Sequence, residues 1–162
     1  MIKALIMDVD GTLTDGGIYM GNDGEVMKKF HAKDGYGICN ILPELGIVPI
    51  IITGRVSKIV QNRCKELGIE ILVQGSTDKV KDMTEILDGL QIASVETAYI
   101  GDDLNDKEAM KLVGVRGCPN DAVDEIKQIA DYVCRTQGGD GAVREFIDWL
   151  GEERTKEKQN EV

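Results

Sequence analysis

Lys3-Ala4-Leu5-Ile6-Met7-Asp8-Val9-Asp10-Gly11-Thr12 sets an unbroken apolar run directly against two aspartates and a glycine. A short apolar run that ends in such a turn reads as a strand buried on both faces, as the strands of a parallel sheet are. Further runs of this kind are predicted at 47–52, 69–73 and 97–100, with weaker ones at 114–117 and 132–134. Helical spacing lies between them: Ile59, Val60, Cys64 and Leu67 share one face, and Val80, Met83, Ile86, Leu87 and Leu90 another. Ser57 and Asp78 stand where N-caps are expected. The alternation predicts an α/β fold, a Rossmann-like doubly wound parallel sheet.

One segment breaks the rhythm. Ile18-Tyr19-Met20 and the run from Glu25 to Phe30 flank the polar turn Gly21-Asn22-Asp23-Gly24, so residues 17–31 are predicted to form an inserted β-hairpin. No second domain interrupts the chain elsewhere. The expected organisation is one domain over 1–150 and a polar, mobile tail over 151–162.

A chain of 162 residues is large enough for one core that buries about two thirds of the unfolded surface. Apolar residues make up 42% and charged residues 30%, as in globular proteins, and no run approaches the roughly 20 apolar residues of a membrane span. The first seven residues lack the long apolar region of a signal peptide, which favours a cytoplasmic location. The net charge of -10 argues against nucleic-acid or membrane partners and for a small one. Cys39, Cys64, Cys118 and Cys134 form no CxxC pair and read as reduced, mostly buried thiols. His31 ends the hairpin rather than a sheet strand, which suits an exposed or subunit-contact role, while Trp149 reads as core.

Ligands of open α/β sheets bind at the carboxyl ends of the strands. There the chain has Asp8-Val9-Asp10-Gly11-Thr12, then Thr53-Gly54-Arg55, then Lys79 opening a helix, then Gly101-Asp102-Asp103-Leu104-Asn105-Asp106. Crowded carboxylates repel one another, and a bound cation normally offsets that cost. An all-oxygen set suits Mg²⁺, which binds through one or two carboxylates plus a phosphate. A carboxylate can approach a phosphate dianion only when cations cover the phosphate oxygens. Lys79 can supply part of that charge, and Thr53 with the amides of Gly54 and Gly11 can bond the remaining oxygens.

These residues resemble the signatures of the haloacid dehalogenase superfamily: DxDGT, a strand-terminal Thr, a Lys and GDDxxD, in that order. The resemblance implies that Asp8 attacks phosphorus to form an aspartyl phosphate and that Asp10 is the general acid and base. It also implies that Asp8, the Asp10 carbonyl and Asp102 hold Mg²⁺, with Asp103 and Asp106 supporting. Either of these last two could equally be a helix cap.

Over most of the chain a closer resemblance is to the phosphatases of 3-deoxy-D-manno-octulosonate 8-phosphate and of nine-carbon sialic-acid-type 9-phosphates. It is carried by Asp10 to Gly16, Lys29-Phe30, Asp34-Gly35-Tyr36-Gly37, Thr53-Gly54-Arg55, Arg63-Cys64, Gln74-Gly75, Lys79, Gly101 to Asp106 and Gly138 to Glu145. It implies a capless homotetramer with the hairpins at its centre, acting on a sugar phosphate. Arg55, and Arg63 from an adjacent subunit, are then candidates to hold the substrate's polar end, a carboxylate being a bidentate partner for Arg. Thr-Gly-Arg resembles the octulosonate branch, whereas the nine-carbon branch tends to have Glu at Arg55. Asp140 departs from the pattern, since octulosonate members often have a basic residue there.

Three other readings compete. A receiver domain also combines carboxylates, Thr and Lys, but its acceptor Asp follows the third strand rather than the first. A non-catalytic homologue is expected to lose a nucleophile or ligand, and none is lost. A phosphomutase usually needs a cap.

Overall fold

A computed structural model describes residues 1–160, the side chain of Glu157 excepted. Among the described residues eight strands are formed: β1 Ala4–Met7, β2 Tyr19–Gly21, β3 Gly24–Met27, β4 Val48–Ile52, β5 Ile71–Val73, β6 Thr97–Ile100, β7 Val115–Cys118 and β8 Tyr132–Val133. The α-helices are α1 Ala32–Tyr36, α2 Leu42–Glu44, α3 Lys58–Leu67, α4 Lys79–Leu90, α5 Lys107–Leu112, α6 Asp124–Lys127 and α7 Ala142–Asn160. Six strands form one parallel sheet in the order β5-β4-β1-β6-β7-β8, while β2 and β3 pair only with each other. Numbered within the sheet this is 3-2-1-4-5-6, the doubly wound order, whose reversal point lies between β1 and β6.

The central strand shows why the apolar run was diagnostic. Ala4 and Ile6 pack into the core on one face with Met83, Leu87 and Tyr99, while Leu5 and Met7 pack on the other with Val60, Cys64, Phe146 and Ile147. All four residues of β1 are fully buried. Ser57 Oγ accepts the Val60 amide and Asp78 Oδ1 the Lys81 amide, so both expected caps are made. Leu90 is the exception among the expected core positions, being exposed in the last turn of α4. Cys64, Cys118 and Cys134 are buried and Cys39 is exposed.

The polar run expected to be a tail is helical through Asn160, and positions 161–162 lie outside the described residues. α7 carries its apolar stripe, with Val143, Phe146, Ile147 and Leu150, and extends past it. Pairs such as Glu153 with Lys156, and the Arg154 guanidinium donating to the Leu45 carbonyl, support the extension. Trp149 stacks on Tyr132 and Phe146 at the edge of the core. His31 caps α1, its Nδ1 accepting the Lys33 amide at 3.2 Å. No described helix is long and apolar enough to cross a membrane.

Asp34, in α1, is buried, and one of its oxygens accepts the Arg144 amide at the start of α7. Its second oxygen is buried without a partner among the described residues. Burial pushes its carboxyl up to about 6, against the opposing pull of the Arg144 amide and nearby cations. In the unfolded chain it titrates at about 3.9. The folded state therefore holds a proton that the unfolded state has lost between these values, and stability falls as pH rises through the window. Asp34→Asn removes this slope. In thermal unfolding with Mg²⁺ present, the wild type should lose on the order of 2–3 kcal/mol more than the variant between pH 4 and pH 7.

Candidate active site

The reversal point is built from the first motif. After β1 the amides of Thr12, Leu13 and Thr14 all converge on the Val9 carbonyl at 3.0–3.1 Å, folding the chain into a tight loop. Thr14 Oγ1 ties the loop by accepting the amides of Gly11 and Gly16, both at 3.2 Å. Gly11 has φ +87, and a Cβ there would collide with the Asp102 carboxylate. From behind, Gly138 and Gly139 press against the backbone of Gly11, Thr14 and Asp15 so closely that neither could carry a side chain. The glycine-rich segment thus buttresses the Asp8 loop, and Asp140 pairs with Lys29 of the hairpin at 2.5 Å.

Beside Asp8, in the turn after the neighbouring strand β6, stand Asp102 and Asp106. Lys79, nearly buried at the start of α4, donates to Asp8 Oδ1 at 2.9 Å and to Asp106 Oδ1 at 2.7 Å. Asp106 is fully buried and also accepts from Tyr99 Oη at 2.7 Å and from the amides of Asp102 and Asp103 at 3.1 and 3.4 Å. Asp102 Oδ1 accepts from Thr12 Oγ1 at 2.9 Å. Asp103 is exposed and spends its carboxylate on the Leu104 amide, a helix cap in the literal sense. Of the two acids assigned a supporting role, Asp106 therefore joins the cluster and Asp103 does not.

Three carboxylates here face one ammonium, and the charges are not balanced. Burial, and then repulsion from Asp106, push Asp8 up to about 6 against the pull of Lys79. Burial and repulsion from Asp8 push Asp102 up to about 8. Burial would lower the Lys79 ammonium, but Asp8 and Asp106 together hold it above the ordinary lysine value. One oxygen from each of Asp8, Asp102 and Asp106 lies within 4.8 Å of the others. This donor set fits a small hard cation, which would relieve the repulsion and keep Asp8 and Asp102 ionised. Because four donors already occupy the Asp106 oxygens, Asp8 and Asp102 would be the side chains freer to hold it.

Thr53 is buried at the end of β4, and Gly54 and Arg55 follow it exposed on the rim. Arg55 Nε lies 3.9 Å from Asp10 Oδ2. Arg63 is not brought to the cluster: it pairs with Glu66 at 2.9 Å and lies over the Phe30 ring. Sequence reasoning missed Lys28 and Glu25 of the hairpin. Lys28 Nζ sits 2.6 Å from Asp10 Oδ1 and 2.7 Å from Glu25 Oε1. Burial would lower its ammonium, but these two partners hold it above the ordinary value. The available signal was the pair Lys28-Lys29, since adjacent side chains of an extended ribbon point to opposite sides.

A family model for haloacid dehalogenase-like hydrolases matches residues 69–147. The 3-deoxy-D-manno-octulosonate 8-phosphate phosphatase of Escherichia coli strain K12 is 47% identical over 150 residues, which is 92% of this chain and 79% of that protein. This chain belongs to the haloacid dehalogenase-like hydrolases. The Yersinia pestis octulosonate 8-phosphate phosphatase superposes with a TM-score of 0.87 at 47% identity, covering 91% of this chain and 79% of that one. The Moraxella catarrhalis enzyme, solved with a magnesium ion, a phosphate ion and KDO, gives 0.88 at 39% identity, covering 92% and 85%. As a member of this hydrolase family the chain is a Mg²⁺-dependent phosphatase, and its acidic cluster sits where the doubly wound sheet puts ligands.

The Gly11 geometry tests whether Asp102 would hold the metal. Gly11→Ala should cost about 1–2 kcal/mol for the left-handed backbone alone. Because its Cβ displaces the Asp102 carboxylate, Mg²⁺ binding should weaken about 10- to 100-fold, read by calorimetric titration.

Proposed function

We propose that this hydrolase cleaves the phosphate monoester of an acidic 2-keto-3-deoxy sugar, 3-deoxy-D-manno-octulosonate 8-phosphate. The observation that carries the reading is Lys79 bonded to both Asp8 and Asp106 beside Asp102, in a chain 47% identical to an enzyme named for that substrate. Mg²⁺, when bound, neutralises charge on the phosphoryl oxygens and keeps the carboxylates ionised.

Asp8 is the nucleophile: its carboxylate oxygen bonds to phosphorus as the sugar oxygen leaves, giving an aspartyl phosphate that water then hydrolyses. Asp10 protonates the leaving oxygen and later takes the proton of the attacking water. Lys79 and the Thr53 hydroxyl, with the Gly54 amide, hold phosphoryl oxygens. The metal ligands are Asp8, the Asp10 carbonyl and Asp102. Asp106 holds Lys79 in place, a role supported by its saturated oxygens. Arg55 on the rim is proposed to meet the sugar carboxylate.

A homotetramer belongs to the same proposal, with Arg63 reaching a neighbour's site. The exposed apolar side chains Ile18, Tyr19, Met20, Val26 and Met27 of the hairpin support burial against other copies. A cytoplasmic setting also belongs to it, and the charge of -10 supports the exclusion of nucleic acid and anionic membranes.

Phosphate release from the octulosonate 8-phosphate and from a nine-carbon 9-phosphate, with Mg²⁺ and with chelator, tests the substrate. Faster Mg²⁺-dependent release from the eight-carbon ester is expected. Preference for the nine-carbon ester overturns the assignment. Light scattering on the eluting protein tests the tetramer, and a monomer there removes Arg63 from the site.

A further inference from the structure

Lys28 is the least expected member of this site. Its side chain is 1% exposed, whereas that of the adjacent Lys29 is 46% exposed. Its ammonium is enclosed between Asp10 Oδ1 at 2.6 Å and Glu25 Oε1 at 2.7 Å. The second Glu25 oxygen accepts from Ser57 Oγ at 2.5 Å, and the Ser57 amide donates to Gln74 Oε1 at 2.8 Å. Lys28 is thus braced from the N-cap of α3 and from the end of β5, although its own ribbon shares no strand pairing with the main sheet. A buried ammonium held by two carboxylates is weak evidence of a stabilising device, because desolvation cancels much of the attraction. Its geometry instead constrains Asp10: one oxygen is tied to Lys28, which leaves Oδ2 free, with the Arg55 guanidinium 3.9 Å away.

We propose that Lys28 is a positioning residue for Asp10, so that the chain's own hairpin orients the carboxyl oxygen that exchanges the proton with the leaving group. The proposal rests on the reading of Asp10 as the general acid and base. In the first half-reaction an Asp8 oxygen bonds to phosphorus, the bond from phosphorus to the sugar oxygen breaks, and the proton on Asp10 Oδ2 passes to that oxygen. In the second, a water oxygen bonds to phosphorus, its proton returns to Asp10 Oδ2, and the bond from Asp8 to phosphorus breaks to release phosphate. Lys28 keeps its protons throughout and holds Oδ1 still.

The test compares a leaving group that needs protonation with one that does not. The first half-reaction is read alone, as leaving-group release in a single turnover with enzyme in excess, because the second needs Asp10 whichever ester is used. On octulosonate 8-phosphate, an alkyl ester, Lys28→Met should lower the saturating rate of that step about 10- to 100-fold with little change in the half-saturating concentration. On p-nitrophenyl phosphate, whose phenolate leaves unaided, the loss in the same step should stay below about threefold. Lys28→Arg, which keeps the charge, should recover part of the lost rate. Equal loss on both esters in this step, or a raised half-saturating concentration with the rate intact, overturns the proposal and makes Lys28 a structural or substrate-gripping residue. If melting shows Lys28→Met to be unfolded, the same two-ester comparison on Lys28→Arg decides. Asp10→Asn serves as the reference: if it lacks the ester selectivity, the acid–base reading itself fails, a result separable from failure of the Lys28 variants alone.

Discussion

Asp8→Asn is expected to abolish octulosonate 8-phosphate turnover, with a loss on the order of 10⁴-fold or more, the scale seen when a covalent nucleophile is removed. That corresponds to at least about 5.5 kcal/mol of transition-state stabilisation. The substitution changes one atom and almost no volume, so lost chemistry rather than lost packing must account for the effect. Electrostatics supports the control. The wild-type carboxylate is buried beside Asp106 and Asp102, so its neutral replacement relieves repulsion while Lys79 keeps its 2.7 Å bond to Asp106. The metal-free variant should therefore melt no lower than metal-free wild type. Retained turnover in a folded variant would remove Asp8 from the nucleophile's role.

Much of the fold was legible because the signals were local. The run from Ala4 to Met7 is apolar without alternation, and only a strand covered on both faces asks for that. Ser57 and Asp78 could be read as caps because a cap needs just one oxygen three residues ahead of an amide. The site's main acids were legible for the same reason, since each follows a strand directly. What escaped depends on distance in sequence. Asp10 and Lys28 meet only because a ribbon folds back on its own site. The polar stretch after Leu150 misled for a related reason: a helix extended past its apolar stripe looks like a tail when composition alone is weighed. Asp106 could not be separated from Asp103 by sequence, because both precede the same helix. Burial separates them, one sealed among four donors and the other capping in solvent.

Mg²⁺ should stabilise this protein far more at pH 8 than at pH 6. In the metal-free folded state Asp102 is held up at about 8 and Asp8 at about 6, against about 3.9 in the unfolded chain. The folded state therefore carries protons that the unfolded state has lost, and its stability declines as pH rises from about 4 to about 8. A divalent cation held by these two carboxylates, as proposed, would have to displace those same protons. At pH 6 Asp102 is still protonated and Asp8 half so, whereas at pH 8 the Asp8 proton is gone and half of the Asp102 protons with it. Apparent Mg²⁺ affinity should consequently tighten on the order of 100-fold between the two conditions. At a concentration near 100 times the dissociation constant at pH 8, the gain in stability is about 2.7 kcal/mol, and most of it should vanish at pH 6. Melting curves with Mg²⁺ and with chelator at each pH measure this directly, and because Asp34 titrates in both, its slope cancels from the difference. An equal Mg²⁺ shift at both values would mean that the ion does not compete for the Asp102 proton, and the ligand set would have to be sought elsewhere along the rim.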